Sequence, residues 1–159
     1  MKSAISRSTS SPVSALAPDS GSSEGQTGCA PISAAGELGF MGMYTPESAG
    51  GLGLSRLDAR LIVEELARGC TTTAAFLTIH NMATSMIGRY CREEIIAQWC
   101  PELVAGTRLA SYCLTEPGAG SDAASLRTRA ERDGDDYVIS GSKVFISGAG
   151  ETDVLVVML

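Results

Sequence analysis

The sequence has a single histidine, His80, a single tryptophan, and no Cys-x-x-Cys pair among its five cysteines. Cys29, Cys70, Cys91, Cys100 and Cys113 are spaced for neither a zinc site nor a disulfide framework, which fits a reducing compartment. Each is expected to be a small buried hydrophobe, and only that one imidazole could complete a Cys/His or Ser/His pair. His80 lies in the apolar run Ala74 to Ile87, so a satisfied core histidine is the expectation. Positive charge is scarce too. Twelve Lys+Arg against 18 Asp+Glu give a net charge of −6, which argues against a basic surface for nucleic acid. A single cofactor phosphate is still admissible, because backbone amides can hold it without net positive charge. No stretch approaches the ~18 consecutive apolar residues of a membrane span. What is present is apolar content, 44% of 159 residues, enough for one sizeable core.

Nine serines precede Glu24, with scattered glycine and proline and no hydrophobic period, so residues 1–30 are expected to be disordered. Lys2 and Arg7 with no acid before Asp19 faintly resemble a mitochondrial transit peptide, although one arginine is too few to assign one. Six glycines between Gly36 and Gly53 imply turns joining short pieces. A helix should start at the N-cap Ser55, with Asp58 in a capping-box-like place, run through Leu57, Leu61, Ile62 and Leu66, and close at Gly69. A second helix, from Thr72 to about Tyr90, has little polar face and should be buried on most sides. A third covers Arg92 to Cys100 and resumes past Pro101.

The period changes near Arg108. Leu109 to Thr115 reads as a strand, followed by a loop from Glu116 to Asp122. Leu126–Arg132 and Tyr137–Ser140 flank Asp133-Gly134, a hairpin signal, and Ser142–Ser147 and Asp153–Leu159 are further strand candidates. Helices first and strands afterwards predict an α+β chain with a boundary near Gly106: a disordered segment 1–30, a helical unit 31–106 and a β unit 107–159.

The loop Thr115-Glu116-Pro117-Gly118-Ala119-Gly120-Ser121-Asp122 turns at Pro117-Gly118 and strips side chains away at Gly118 and Gly120. That composition suits close approach of backbone N–H groups to an anion, with Ser121 adding a hydroxyl, and it equally suits a plain tight turn. It is neither a P-loop nor a G-x-G-x-x-G turn entering a helix.

The stretch Tyr112 to Asp122 closely resembles the flavin-binding signature of the acyl-CoA dehydrogenases. A second segment at the family's spacing, Ser140-Gly141-Ser142-Lys143-Val144-Phe145-Ile146-Ser147-Gly148, resembles the partner strand, where most members carry tryptophan followed by Ile-Thr. The Phe-Ile-Ser form is similar to members acting on isobutyryl-CoA, as are Gly51 to Asp58 and Thr78 to Met82. The resemblance runs from about Leu38 to Leu159, and residues 1–30 match nothing in the family, which opens with a further helix or two.

The resemblance implies a helical N-terminal domain followed by the first strands of an incomplete β-barrel-like middle domain. It implies FAD as cofactor. Tyr112, Cys113, Leu114 and Thr115 would contact the isoalloxazine ring, as would Phe145, Ile146 and Ser147 on the second strand. Gly120 and Ser121 would meet the pyrophosphate, and Ser121 also the acyl-CoA. The chemistry implied is α,β-dehydrogenation of a short branched acyl-CoA in valine catabolism, with hydride passing to the flavin and electrons to an electron-transfer flavoprotein. A homotetramer is implied for the complete enzyme, in the mitochondrial matrix of a eukaryote or the cytoplasm of a bacterium. Glu116 does not match the family's base, which lies in a later helical domain, so no catalytic residue is expected before Leu159. The chain alone is expected to be inactive. Its run Val154 to Leu159 should then be an edge strand whose neighbours come from later sequence. A different reading is a non-catalytic fragment that at most binds partners through exposed helices and a strand edge.

Overall fold

The computed structural model describes residues 3–7 and 30–159. In chain order the elements are β1 (Ser3–Arg7), α1 (Ala30–Glu37), α2 (Arg56–Gly69), α3 (Thr71–Tyr90), α4 (Glu93–Val104), β2 (Ala110–Cys113), β3 (Arg129–Asp133), β4 (Asp136–Ser140) and β5 (Val154–Met158). Helices precede most of the strands, and the fold is α+β.

Local chemistry explains the helix ends. The Ser55 hydroxyl accepts from the Asp58 amide at 3.2 Å and donates to the Asp58 carboxylate at 2.6 Å, which satisfies an otherwise orphaned N–H of α2. Gly69, expected as a left-handed stop, is instead the last helical residue of α2. Cys70 makes the break with an extended backbone, and its Sγ accepts from the Thr73 amide at 3.5 Å to cap α3. This thiol is exposed, contrary to the expectation for every cysteine; Cys100 and Cys113 are buried and Cys91 is half-buried. Cys29 lies outside the described residues. Pro101 lies inside α4, which continues to Val104 although the proline lacks the N–H for one intrahelical bond.

The largest core cluster joins the two kinds of structure: Ile87 of α3 with Trp99, Cys100 and Leu103 of α4 pack on Ala110 of β2 and Val154 and Val156 of β5. Within α3, buried Asn81 is satisfied on both ends of its amide. Its Oδ1 accepts from the Met43 N–H at 2.7 Å, and its Nδ2 donates to the carbonyls of Phe40 at 2.7 Å and Leu77 at 2.9 Å, which fixes the glycine-rich segment against the helix.

The main sheet has the order β1-β5-β2, with β5 antiparallel to β1 and parallel to β2. Two expectations are corrected here. Ser3–Arg7, inside the segment expected to be disordered, is a strand; backbone pairing needs no hydrophobic period in the added strand. For the same reason Val154–Met158 is no free edge but the central strand. The remainder of the expectation for residues 1–30 lies outside the described residues, save Ala30, which is helical. A separate hairpin pairs β3 with β4 across Gly134-Asp135, with Gly134 at φ 61, the glycine-first arrangement of a type II′ turn. Ser142–Ser147 is not a strand. Phe145 adopts φ 57, which breaks the extended path.

Candidate functional site

The β2 strand delivers Tyr112 half-buried and Cys113 buried, then runs through half-buried Leu114 and Thr115 into the loop. The loop is a tight turn: the Glu116 N–H donates to the Ala119 carbonyl at 2.8 Å and the Ala119 N–H returns to the Glu116 carbonyl at 3.2 Å, with Pro117-Gly118 at the tip. Beyond it, Gly120 and Ser121 are exposed. The fold itself does not require glycine at positions 118 and 120, since a Cβ at either would meet nothing within 4 Å and neither has positive φ. Glycine costs ~0.5–1 kcal/mol of extra backbone entropy, so bare backbone at both positions is unexplained by packing and leaves room for a ligand to approach.

The second segment meets the first at the end of β2. The Val144 N–H donates to the Thr115 carbonyl at 2.9 Å, and the Ser111 hydroxyl donates to the Ser147 carbonyl at 2.6 Å. Between these two bonds stands Phe145, left-handed and 93% exposed, with Ile146 half-buried and Ser147 exposed. Gly148 then turns the chain back at φ 77, where a Cβ would lie 2.7 Å from the Thr152 methyl and 3.2 Å from Phe76, so no larger residue fits. The two sequence-predicted groups, Tyr112–Thr115 and Phe145–Ser147, are therefore adjacent. Gly120 and Ser121 share no hydrogen bond with Phe145–Ser147 among the described residues.

Glu116 sits beneath the loop, turned inward. Its Oε2 accepts from the Arg127 N–H at 2.7 Å, and its Oε1 accepts from the Thr128 N–H at 2.9 Å, the Thr128 hydroxyl and Lys143 Nζ at 2.9 Å. The Thr128 hydroxyl foremost, then Lys143 and the Arg127 amide, hold its carboxyl down to about 2. So weak a proton acceptor is unsuited to a general base at neutral pH. Lys143 Nζ also donates to the Leu114 carbonyl at 2.9 Å. The sequence reading missed Lys143 and Thr128 as partners; a lysine inside an otherwise uncharged stretch was the available signal for the first. Burial pushes the Cys113 thiol up and disfavours a thiolate there, with the opposing charge of Lys143 the smaller effect.

His80, by contrast, is a fully buried joint in the core and not part of this surface. No group of three or more His, Cys, Asp or Glu suited to a metal ion occurs among the described residues. Nor is any described helix long and apolar enough to cross a membrane.

The family model "Acyl-CoA dehydrogenase, N-terminal domain" matches residues 14–107 and "Acyl-CoA dehydrogenase, middle domain" matches residues 111–159. The first match reaches back into the stretch where the sequence offered no resemblance. The chain is 54% identical over 125 residues to the mitochondrial isobutyryl-CoA dehydrogenase of Dictyostelium discoideum, covering 79% of this chain and 30% of that protein. Against the same enzyme of Bos taurus it is 55% identical over 124 residues, 78% of this chain and 30% of that one. A solved glutaryl-CoA dehydrogenase of Mycobacterium smegmatis in complex with FADH2 superposes with a TM-score of 0.75 at 33% identity, over 81% of this chain and 33% of its own. The chain thus spans about 30% of the length of the curated relatives it matches. With both domain models in order and the helices-then-strands fold beneath them, the chain belongs to the acyl-CoA dehydrogenase family, a family of flavoprotein oxidoreductases acting on CH–CH bonds.

Proposed function

We propose that this chain forms one wall of an FAD site in an acyl-CoA dehydrogenase that desaturates a short branched acyl-CoA such as isobutyryl-CoA, in valine catabolism. The observation that carries the reading is Phe145, 93% exposed at φ 57 beside the Thr115–Val144 bond. A left-handed non-glycine residue costs ~1–2 kcal/mol, and an aromatic ring in water forgoes its burial. The ring of Phe145 is left almost fully exposed among the described residues. A flat apolar partner stacked on the ring would bury it.

Tyr112, Cys113, Leu114 and Thr115, with Phe145, Ile146 and Ser147, are assigned to the isoalloxazine, and Gly120 and Ser121 to the pyrophosphate, Ser121 also touching the acyl-CoA. Buried Cys113 contributes through its backbone, and Leu114 through its N–H, because Lys143 already occupies its carbonyl. The flavin, when bound, supplies the two-electron acceptor for the desaturation. The chain supplies donors fixed in advance near a ring that gains negative charge on reduction. Since Glu116 is saturated with donors, abstraction of the α-proton is assigned to a group outside residues 1–159. Electron-transfer flavoprotein is the proposed electron acceptor, the complete enzyme is a homotetramer, and the mitochondrial relatives support a matrix location in a eukaryote.

Gel filtration of the purified chain with FAD tests the cofactor assignment. Retained yellow flavin, with roughly tenfold weaker retention in Phe145→Ala, is expected. A folded chain that retains none supports the other reading, an interaction fragment, which the exposed Leu57 and Leu61 on α2 favour. The chain alone is expected to show no turnover of isobutyryl-CoA with an artificial electron acceptor.

A further inference from the structure

The two segments assigned to the flavin are joined by very little backbone. Among the described residues no ladder links Thr115 to Val144, only the one N–H to carbonyl bond. The Ser111 hydroxyl adds one bond to the Ser147 carbonyl at 2.6 Å, and the join at Thr115 and Val144 is otherwise made by two charged side chains. Lys143 Nζ bonds the Leu114 carbonyl and the Glu116 carboxylate, each at 2.9 Å, and these side chains are 11% and 6% exposed. Glu116 reaches the other way to the amides of Arg127 and Thr128, just before β3. Gly141 closes on that point, since a Cβ there would lie 2.4 Å from the Thr128 hydroxyl oxygen. One ammonium and one carboxylate therefore tie together three stretches: the loop 114–119, the entry to β3, and Lys143-Val144.

A buried ion pair is a poor device for stability alone, because desolvation offsets much of its attraction and an apolar pair often serves as well. What an apolar pair cannot do is aim hydrogen bonds at a chosen carbonyl and at chosen amides. Here every bond of the pair ends on backbone or on Thr128, in loops without other regular pairing. We propose that Lys143 and Glu116 are positioning residues for the flavin, setting Thr115 and Phe145–Ser147 at the spacing a single ring requires. The proposal rests on the flavin-site reading above.

The test compares the whole chain with Lys143→Met, Lys143→Arg and Thr128→Val. Amide hydrogen exchange is read without flavin, and FAD affinity and the visible spectrum of bound flavin are read with it. Lys143→Met should speed exchange at Val144, Arg127 and Thr128 by about tenfold or more and weaken FAD binding by about as much. The amides of α3 should stay as slow as in the wild type. Lys143→Arg, which keeps donors for both acceptors, should recover much of the loss. Thr128→Val removes the largest influence holding Glu116 ionised, so protection of Val144 should fail at a higher pH than in the wild type, a shift that a packing role would not produce. If Lys143→Met also loosens α3, Thr128→Val decides through that shift. Unchanged exchange at Val144 overturns the join. Faster exchange with unchanged FAD affinity and spectrum overturns the positioning role. A wild-type chain with Val144 protected but no FAD uptake overturns the flavin-site reading, and with it the role toward flavin, while the join itself stands.

Discussion

His80 Nδ1 lies 3.1 Å from the amide nitrogen of Ala110 and accepts its proton, so an imidazole joins the middle of α3 to the first residue of β2. With Nδ1 accepting, Nε2 carries the ring proton and donates to the Leu103 carbonyl at 3.0 Å, next to the Thr84 hydroxyl at 3.2 Å. One neutral side chain thus holds α3, the end of α4 and the sheet that carries the candidate site.

Protonation would set an N–H of the ring against the N–H of Ala110. Burial lowers the His80 pKa to about 4, with the Leu103 carbonyl opposing more weakly. The unfolded chain binds this proton near 6.5 and the folded one near 4, so the stabilisation is full above 6.5 and is lost as pH falls through that window. The whole effect amounts to about 3 kcal/mol, of which about 2 kcal/mol should disappear between about pH 7 and about pH 5. Urea denaturation at the two pH values checks this, and His80→Gln should flatten the difference. Equal wild-type stability at both would contradict the neutral, buried assignment.

Thr45 is fully buried, and its hydroxyl has no hydrogen-bond partner among the described residues. Its carbonyl, by contrast, accepts from the Gly53 N–H at 2.9 Å. Thr45→Val exchanges that hydroxyl for a methyl of similar size and should stabilise the chain by about 1 kcal/mol. A thermal melt that moves down instead of up would show that the hydroxyl has a partner.

Two glycine replacements should act in opposite directions. At Gly36 a Cβ would sit 2.1 Å from the Ala105 carbonyl oxygen, so Gly36→Ala must push α1 off the end of α4 and should cost ~1–3 kcal/mol. At Gly69, helical and with nothing within 4 Å, Gly69→Ala should gain ~0.5–1 kcal/mol by restricting the unfolded chain. Chemical denaturation of both variants gives the two signs, and a loss at Gly69 would mean that the glycine does more than end a helix.

The contrast between those glycines shows which parts of the fold were legible in the sequence. The Ser55 cap, the body of α3 and the Asp133-Gly134 hairpin depend on residues within a few positions of one another, and their signals survive in a linear reading. The site's loop was legible through its resemblance. What fastens it was not, because Glu116 takes its donors from positions 11, 12 and 27 residues away. The left-handed Phe145 carries no local mark either, being an aromatic in a stretch that otherwise reads as a strand. The pairing of Ser3–Arg7 with β5 spans nearly the whole chain, too far for a local sequence pattern to reveal it.

That last pairing has a measurable consequence. Val154 to Leu159 is an apolar run without charge, proline or glycine, a composition that aggregates when its edge is open. Here β1 covers one edge of β5 and β2 the other, so slow amide exchange is expected across Val154–Met158 in a soluble monomer. Successive amides of β5 point alternately to its two neighbours. Deleting residues 1–7 should therefore speed exchange at alternate positions only, those facing β1, and should promote self-association through the opened edge. Proline in β1 gives a finer test, since Ile5 pairs with Val156 and Ser6 with Leu155. In an edge strand only one of two consecutive N–H groups faces the partner, so one of Ile5→Pro and Ser6→Pro should be much less disruptive than the other. Equal tolerance of both, or unchanged exchange throughout β5 after the deletion, would show that β1 is not what closes that edge.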